Sequence, residues 1–187
     1  MIYIDENIWD FDLQEALDEV SPERREYALR YRQELDQRLS VVAYRLLQRA
    51  LQQQYGLDLQ PRFVFGDSGK PLLEGFPDIH FSLSHCSMAV ACAVGDGPVG
   101  IDVETFDHYS EEVARRVMNP DEMRQIITSS CPEVAFTRLW TMKESFFKMA
   151  GTPIGDNDIS QMLDQATHCR FTTIIHPQFT VTRCTLK

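Results

Sequence analysis

Long hydrophobic runs are missing from this sequence. No segment of its 187 residues approaches the roughly 20 apolar residues that a membrane-spanning helix needs. The first ten residues, MIYIDENIWD, have neither the basic stretch nor the apolar stretch of a secretory signal peptide. We therefore expect a cytoplasmic protein that has no membrane partner.

Regularly spaced cysteine pairs are missing as well. The cysteines are odd in number, scattered along the chain and never arranged as C-x-x-C. This pattern indicates reduced thiols in a cytoplasmic protein and argues against a structural zinc site. The five residues are Cys86, Cys92, Cys131, Cys169 and Cys184.

Positive charge is scarce, and lysine is especially rare. The formal net charge is −10, which argues against general nucleic-acid binding because such proteins usually carry a basic surplus. Only four of the 18 basic residues are lysines, and seven arginines fall between Arg24 and Arg49. A guanidinium group suits phosphate, but arginines on a helix surface commonly pair with glutamates in solvent. The composition leaves both roles open.

Hydrophobic residues make up 43% of the chain, which is enough for a core, and their spacing predicts an α+β fold. Helical periodicity runs from Ser21, a good N-cap, to Gly56, a good C-cap. PRFVF then predicts a strand. DIHFSLSHC, MAVACAVG and PVGIDVE are β-rich runs that together predict an antiparallel meander.

The second half repeats this order of helices followed by strands. SEEVARRVM and NPDEMRQIIT predict two short helices, and PEVAFTRLWTMKESFFKMAG predicts a longer one that Gly151 ends. RFTTIIHPQFTVTRC predicts a hairpin. The repetition predicts two similar lobes with pseudo-twofold symmetry, each a small antiparallel sheet packed with helices. We place the first lobe at residues 1–99 and the second at residues 100–187.

Two carboxylates stand out in GIDVE. Asp102 and Glu104 are two residues apart in a predicted strand, so their side chains point to the same face. Their mutual repulsion near an apolar interior would be offset by a hard divalent cation such as Mg²⁺, which takes oxygen ligands. The alternative is a strand end that emerges into solvent with both carboxylates hydrated.

A third carboxylate lies in the helix LWTMKESFFK. Trp140, Glu144 and Lys148 are spaced i, i+4 and i+8 and share one helical face. A surface Glu–Lys pair is the ordinary interpretation and contributes roughly 0.2–0.5 kcal/mol. This helix, however, is apolar almost all round, so we expect its glutamate and its two lysines to face a site.

The run FSLSHC places Ser82 and Ser84 on one face of a predicted strand. Ser84 and His85 are adjacent and point apart, so they are badly placed as a nucleophile and its base. Contact with a phosphate is the functional role we favour, and a structural histidine is the alternative. In the turn SGKP, Lys70 offers a point charge for a phosphate.

The ordered set GKP, FSLSHC, GIDVE and LWTMKESFFK resembles the 4′-phosphopantetheinyl transferases, specifically the Sfp-type enzymes that activate carrier proteins. SPERRE and RLSVVAYRLL also resemble the N-terminal region of that family. The resemblance covers about residues 21–155. It implies transfer of the 4′-phosphopantetheine arm of coenzyme A to a serine of an apo acyl or peptidyl carrier protein, with adenosine 3′,5′-bisphosphate as by-product.

The resemblance also implies roles for individual residues. Asp102, Glu104 and Glu144 match the magnesium-site carboxylates, and Glu144 and Lys148 match the positions proposed to handle protons. Six further residues match, or lie close to, coenzyme A contacts: Arg24, Arg38, Ser40, Lys70, Ser84 and His85. Magnesium on the pyrophosphate would neutralise charge on the attacked phosphorus and on the leaving phosphate.

This sequence departs from the family pattern in three respects. It is shorter than the longer Sfp-type members, and Tyr27 stands where some relatives have a basic residue. The chain is acidic although carrier proteins are usually acidic too. Docking would therefore use either a local basic patch, made of the arginines between Arg24 and Arg49 together with Arg115 and Arg116, or apolar contacts from Val117 and Met118.

We expect coenzyme A to bind in the cleft between the two lobes of a monomer. The carrier is left open among those of fatty acid, polyketide and non-ribosomal peptide synthesis. Two alternatives remain. One is a non-catalytic homologue that binds coenzyme A or a carrier protein, and the other is a magnesium-dependent phosphatase.

Overall fold

The computed structural model describes residues 1–66, 69–151 and 159–187. Its α-helices are α1 (Leu13–Glu19), α2 (Pro22–Leu29), α3 (Glu34–Tyr55), α4 (Glu111–Val117), α5 (Pro120–Ile127), α6 (Pro132–Ala150) and α7 (Met162–Gln165). Its strands are β1 (Ile2–Asp5), β2 (Phe63–Phe65), β3 (Pro71–Leu73), β4 (His80–His85), β5 (Val90–Gly95), β6 (Val99–Thr105), β7 (Cys169–Ile175) and β8 (Phe179–Leu186). Within the described ranges, none of these helices is long and apolar enough to cross a membrane.

The first half is built from β1, α3 and the hairpin β4–β5. Its antiparallel sheet has the strand order β1-β5-β4, and α3 packs against it. The helix buries one apolar stripe at helical spacing, which includes Leu39, Val42, Leu46 and Leu47. Gly56 ends the helix with φ 69°, a left-handed conformation that favours glycine.

The helix predicted from Ser21 to Gly56 is two helices in the structure. Ser21 caps α2 as predicted, but the chain turns after α2 and a second helix, α3, begins at Glu34. An unbroken helix of that length would extend about 50 Å. The turn instead folds α2 back onto α3, so that the Arg24 guanidinium donates to Ser40 Oγ at 3.2 Å.

The second half repeats the connectivity of the first. It contains a strand (β6), a long helix (α6) and a hairpin (β7–β8). The three strands form an antiparallel sheet in the order β6-β8-β7, and α6 packs against β6 and β8. The predicted helices α4, α5 and α6 and the final hairpin are all present. The predicted α+β fold, with small antiparallel sheets packed against helices, is confirmed. The lobe boundary before Gly100 stays a prediction; β6 begins at Val99.

The predicted three-stranded meander is wrong in one strand. Of its three strands, only β4 and β5 form a hairpin, because β6 pairs with β8 in the second sheet. Serine side chains of β4 meet the free edge of β6: Ser82 Oγ accepts from the Ile101 amide at 3.0 Å, and Ser84 Oγ accepts from the Val103 amide at 3.3 Å. The two halves are joined at this edge, between strands that belong to different sheets.

Candidate active site

Helix α6 and strand β6 come unusually close together at Gly100. A Cβ atom on this glycine would lie 1.9 Å from the carbonyl oxygen of Ser145 and 2.4 Å from the amide nitrogen of Met149. Only a residue without a side chain allows this approach. The close packing brings the face of α6 with Glu144 and Lys148 towards Asp102 on β6.

The centre of the site is a contact among three side chains from three elements. Lys148 Nζ on α6 donates to Asp102 Oδ1 on β6 at 2.7 Å and to Ser84 Oγ on β4 at 2.8 Å. The Ser84 hydroxyl lies 2.8 Å from the same Asp102 oxygen. The Asp102 side chain is 3% exposed and that of Lys148 is 33% exposed, so the pair is buried on one side and reachable on the other.

The other Asp102 oxygen, Oδ2, is buried and has no hydrogen-bond partner among the described residues. A buried carboxylate oxygen without a partner is costly, and native structures usually satisfy such atoms. It therefore marks a place where a positive ligand would be stabilised.

Glu104 and Glu144 carry the electrostatic signature of crowded carboxylates. Burial, followed by the negative charge of Asp102, raises the pKa of Glu104 to about 7, and Glu144 adds to the effect while Lys148 opposes it. The pKa of Glu144 is raised by burial and then by Asp102, again against Lys148. Asp102 thus lies close enough to both glutamates to destabilise their charged forms.

The donor set fits a hard cation, although the described side chains are not gathered around one point. No group of three or more histidine, cysteine, aspartate or glutamate residues in the described ranges is already arranged to hold a metal ion. The unpartnered Asp102 oxygen and the repulsion at Glu104 and Glu144 are nevertheless what a divalent cation with oxygen ligands would relieve.

A cavity of about 470 Å³ opens beside this centre, in the first half of the chain. Arg24, Ser40 and His85, three of the residues predicted to bind coenzyme A, line it together. The pKa of His85 is lowered by desolvation and then by the positive charge of Lys148, which shows that the cavity approaches the α6 lysine. The structure thus brings three of the six residues predicted to bind coenzyme A to one cavity, which extends towards Lys148.

The walls of the cavity are aromatic, which the sequence did not reveal. Arg24 lies over three rings, with its guanidinium carbon 4.9 Å from the centroid of Tyr27 and 5.3 Å from those of Tyr44 and Phe63. Tyr31 and Phe65 complete this side of the wall. These residues come from α2, α3, β2 and the turn between α2 and α3, so no spacing within the sequence signals their convergence.

Two of the residues predicted to bind coenzyme A lie elsewhere. Arg38 is directed to the N-terminal segment, where it donates to Phe11 O at 3.0 Å and to Ile8 O at 3.4 Å and pairs with Glu34. The Lys70 ammonium lies among backbone carbonyls at the end of α6. Neither lines the cavity. Their predicted contacts with coenzyme A stay predictions.

Lys143 does not face the site, contrary to the expectation for both lysines of this helix. Its side chain is fully buried and pairs with Glu122 Oε2 at 2.8 Å. It also donates to the carbonyl oxygens of Ile159 and Ser160. The prediction failed because α5 covers this side of α6 with a carboxylate of its own.

The structure also changes which residues of the predicted carrier-docking surface are available for contact. Met118 is 5% exposed and packs in the core beside α6, so it is not available for apolar docking. Arg115 and Arg116 each pair with a glutamate one turn earlier, Glu111 and Glu112. The exposed apolar side chains here are Val113 and Ile127.

The chain that carries this site is similar to known proteins. Residues 98–185 match the family model described as the 4′-phosphopantetheinyl transferase superfamily. The chain is 33% identical over 153 residues to the 4′-phosphopantetheinyl transferase Sfp of Bacillus subtilis (strain 168), a match that covers 80% of this chain and 68% of that one. It is 35% identical over 138 residues to the 4′-phosphopantetheinyl transferase psf-1 of Bacillus pumilus, covering 72% and 59%.

More distant similarities were also found. The L-aminoadipate-semialdehyde dehydrogenase-phosphopantetheinyl transferase of Saccharomyces cerevisiae is 32% identical over 117 residues, covering 56% of this chain and 43% of that one. Among solved structures, the holo-[acyl-carrier-protein] synthase of Thermotoga maritima matches with a TM-score of 0.37 and 21% identity, over 48% and 62% of the two chains. The chain spans between about three-fifths and two-thirds of the length of the Bacillus relatives named above.

Proposed function

Because the chain belongs to the 4′-phosphopantetheinyl transferase superfamily, we propose that it transfers the 4′-phosphopantetheine arm of coenzyme A to a serine of an apo acyl or peptidyl carrier protein. The observation that carries the proposal is the contact of Lys148, Asp102 and Ser84, next to His85, which lines an aromatic cavity. The products would be the holo-carrier and adenosine 3′,5′-bisphosphate.

The cavity would bind the nucleotide half of coenzyme A. Its aromatic walls suit a planar base, and Arg24 offers a guanidinium group to a phosphate. Ser40 holds that guanidinium at 3.2 Å and would orient it. The proximity of His85 to Lys148 supports a pyrophosphate that passes from the cavity to the carboxylate site.

Glu144 would act as the general base. Burial and the charge of Asp102 raise its pKa, and a more basic carboxylate accepts the proton of the attacking serine more readily. Lys148 would stabilise the leaving phosphate, because its ammonium group is already held at the site by Asp102 and Ser84. His85, from β4, would add a polar contact to the phosphate chain.

We propose Mg²⁺ as the metal, held by Asp102, Glu104 and Glu144. When bound, the ion would neutralise charge on the pyrophosphate. The support from the chain is the unpartnered Asp102 oxygen and the raised pKa of each glutamate. Lys148 contacts the other carboxylate oxygen of Asp102, Oδ1, at 2.7 Å.

A single chain supplies both the cavity and the carboxylates, which supports a monomer whose site lies between lobes of residues 1–99 and 100–187. All five cysteines are free thiols, four of them buried. This supports a reducing compartment, the cytoplasm, as the place where the protein works.

The test is the intact mass of apo carrier proteins after incubation with this protein, coenzyme A and Mg²⁺. The panel takes one carrier each from fatty acid, polyketide and non-ribosomal peptide synthesis. A gain of about 340 Da that is lost with EDTA and restored by Mg²⁺ would support metal-dependent transfer. In Asp102→Asn we expect the rate to fall on the order of 100-fold or more, because Lys148 loses its charged partner.

Asp107→Asn is the matched control, because Asp107 is an exposed carboxylate five residues away on the same segment. This variant should keep the rate of the unchanged protein. Binding of coenzyme A without a mass gain on any carrier would contradict transfer and favour a non-catalytic binding protein.

A further inference from the structure

The Lys70 side chain spans the two halves of the chain. Its ammonium nitrogen lies 3.1 Å from the carbonyl oxygen of Val99, 2.5 Å from that of Lys148 and 3.3 Å from that of Met149. Lys70 itself precedes β3, in the first half. The carbonyl groups belong to the first residue of β6 and to the last turn of α6, in the second half.

An ammonium group has three protons, and here three carbonyl oxygens receive them. Binding a phosphate with this group would therefore require at least one of these hydrogen bonds to break. Burial lowers the pKa of Lys70, as expected for an ammonium group withdrawn from solvent into a ring of backbone oxygens.

The last turn of a helix is a favourable position for a cation. Its carbonyl groups have no partners within the helix, and the helix dipole places negative potential there. The turn that Lys70 caps also contains Lys148, whose own side chain reaches Asp102 and Ser84 from this point. Because β6 carries Asp102 and begins at Val99, Lys70 holds both sides of the Lys148–Asp102 pair together.

The next residue along the chain connects this contact to the cavity. Pro71 lines the aromatic cavity, while Lys70 is directed to α6. One turn of the chain thus joins the wall of the cavity to the end of the helix that carries Lys148.

We propose that Lys70 is a positioning residue: its ammonium group fixes the last turn of α6 against the start of β6, and so sets Lys148 on Asp102, instead of contacting a phosphate of coenzyme A. This inference rests on the proposed transferase function. It differs from the phosphate contact that the family resemblance implies for the same lysine, and the two roles make opposite predictions.

Lys70→Arg separates the two roles because it keeps the charge. A planar guanidinium group cannot place one nitrogen among three converging carbonyl oxygens, but it is a good phosphate ligand. We expect kcat to fall on the order of 10- to 100-fold, since small displacements at a reacting centre have effects of that size. The dissociation constant for adenosine 3′,5′-bisphosphate, measured by calorimetry in EDTA, should stay within about twofold.

A double-variant cycle tests whether Lys70 acts through Lys148. In a Lys148→Met background, Lys70→Arg should cause no further loss of kcat, because the side chain it positions is gone. Lys187→Met controls for the loss of a lysine, since Lys187 lies at the far end of β8 and contacts Thr167 O. A weaker affinity for the bisphosphate with unchanged kcat, or an equal loss in both backgrounds, would overturn the proposal.

The scarcity of lysine supplies a readout that does not need activity. With only four lysines in the chain, the ε-methylene signals of ¹³C-labelled lysine can be assigned one by one by NMR. Lys70→Arg should shift the Lys148 signal, and Lys187→Met should leave it in place. An unmoved Lys148 signal would contradict positioning even if no carrier were modified, whereas absence of transfer by the unchanged protein would count against the proposed function alone.

Discussion

The two halves of this chain share a connectivity and differ in what they bury. Each has a strand, a long helix and a hairpin whose second strand pairs with the first strand. In the first half, α3 and β5 meet through an almost wholly apolar interior. In the second half, the interior faces of α6, β6 and β8 carry polar side chains: Asp102, Thr137, Thr141, Lys143, Ser145, Thr180 and Thr182.

The difference shows how one connectivity can serve two purposes. The apolar first half supplies the wall of a cavity that is lined by the partly buried guanidinium of Arg24. Burying a polar group without a partner costs free energy, and several buried polar groups of the second half have one. Examples are the Thr141–Thr182 hydroxyl contact at 2.8 Å and the Lys143–Glu122 ion pair. The proposed active site lies where the polar interior of the second half meets the cavity of the first half.

The largest effect should come from breaking the buried charge pair of the second half. Glu122→Gln leaves the fully buried Lys143 ammonium without its carboxylate, and removing one partner of such a pair costs about 3–5 kcal/mol of unfolding free energy. Urea denaturation measures the change. Glu112→Gln, at an exposed glutamate paired with Arg116, should change stability by less than about 1 kcal/mol.

A double variant sharpens this result. Glu122→Gln combined with Lys143→Met removes the uncompensated charge and should recover part of the lost stability. If Glu122→Gln alone were as stable as the unchanged protein, the pair would not be a structural requirement of the second half.

The next largest effect should come from adding a side chain where α6 and β6 approach each other closely. Gly100→Ala forces a methyl group against the backbone of Ser145 and Met149, and overpacking of this kind costs about 1–3 kcal/mol. Transfer should fall as well, because Lys148 moves away from Asp102. Gly97→Ala is the matched control, since no described atom lies within 4 Å of its added carbon. Equal melting temperatures for the two variants would count against the tight contact.

The third prediction addresses the first half. Arg24→Gln should weaken binding of adenosine 3′,5′-bisphosphate about tenfold, because a charged hydrogen bond to phosphate is replaced by a neutral one. Isothermal titration calorimetry in EDTA measures it without the metal. Arg25→Gln, next to it but half-exposed and paired with Asp18, should bind as the unchanged protein does. An equal loss in both variants would indicate a long-range charge effect.

The last prediction concerns the pH dependence of the carboxylate cluster. The pKa of Glu104 is raised from its ordinary value of 4.5 to about 7, so between these values the folded state keeps a proton that the unfolded chain has released. Stability from this group is full below about pH 4.5 and is lost as the pH rises through 7. The urea midpoint in EDTA should therefore fall between pH 5 and pH 8.

Glu104→Gln should flatten that dependence, and Glu111→Gln, at an exposed glutamate, should not. Glu144 acts in the same direction through its own raised pKa, so some slope will remain in Glu104→Gln. A Glu104→Gln midpoint that depends on pH as steeply as that of the unchanged protein would show that Glu104 is already ionised in the folded state over this range.

Local sequence signals correctly predicted several helix ends. Ser21, Gly56 and Gly151 cap helix ends as predicted, because a cap depends on hydrogen bonds within a few residues. The break after α2 and the transfer of β6 to the second sheet were missed. Both depend on which distant segment a surface packs against, and helical or strand periodicity does not carry that information.

The candidate site divides in the same way. Residue types and spacing identified Asp102, Glu104, Glu144 and Lys148, since paired carboxylates on a strand and a charged face on an apolar helix are local patterns. The sequence did not separate Lys148 from Lys143, although both lie on α6. Lys148 contacts Asp102, and Lys143 is buried against Glu122.

The sequence by itself determined the order of helices and strands, their caps and the residue types available for phosphate and metal chemistry. Tertiary structure alone decided that α2 folds onto α3 to line a cavity, that Gly100 lets α6 approach β6, and that Lys70 reaches the end of α6. The physical reason is that hydrogen bonds, burial and charge act over a few ångströms in space. Residues 70 and 148 become neighbours only when the two halves pack together.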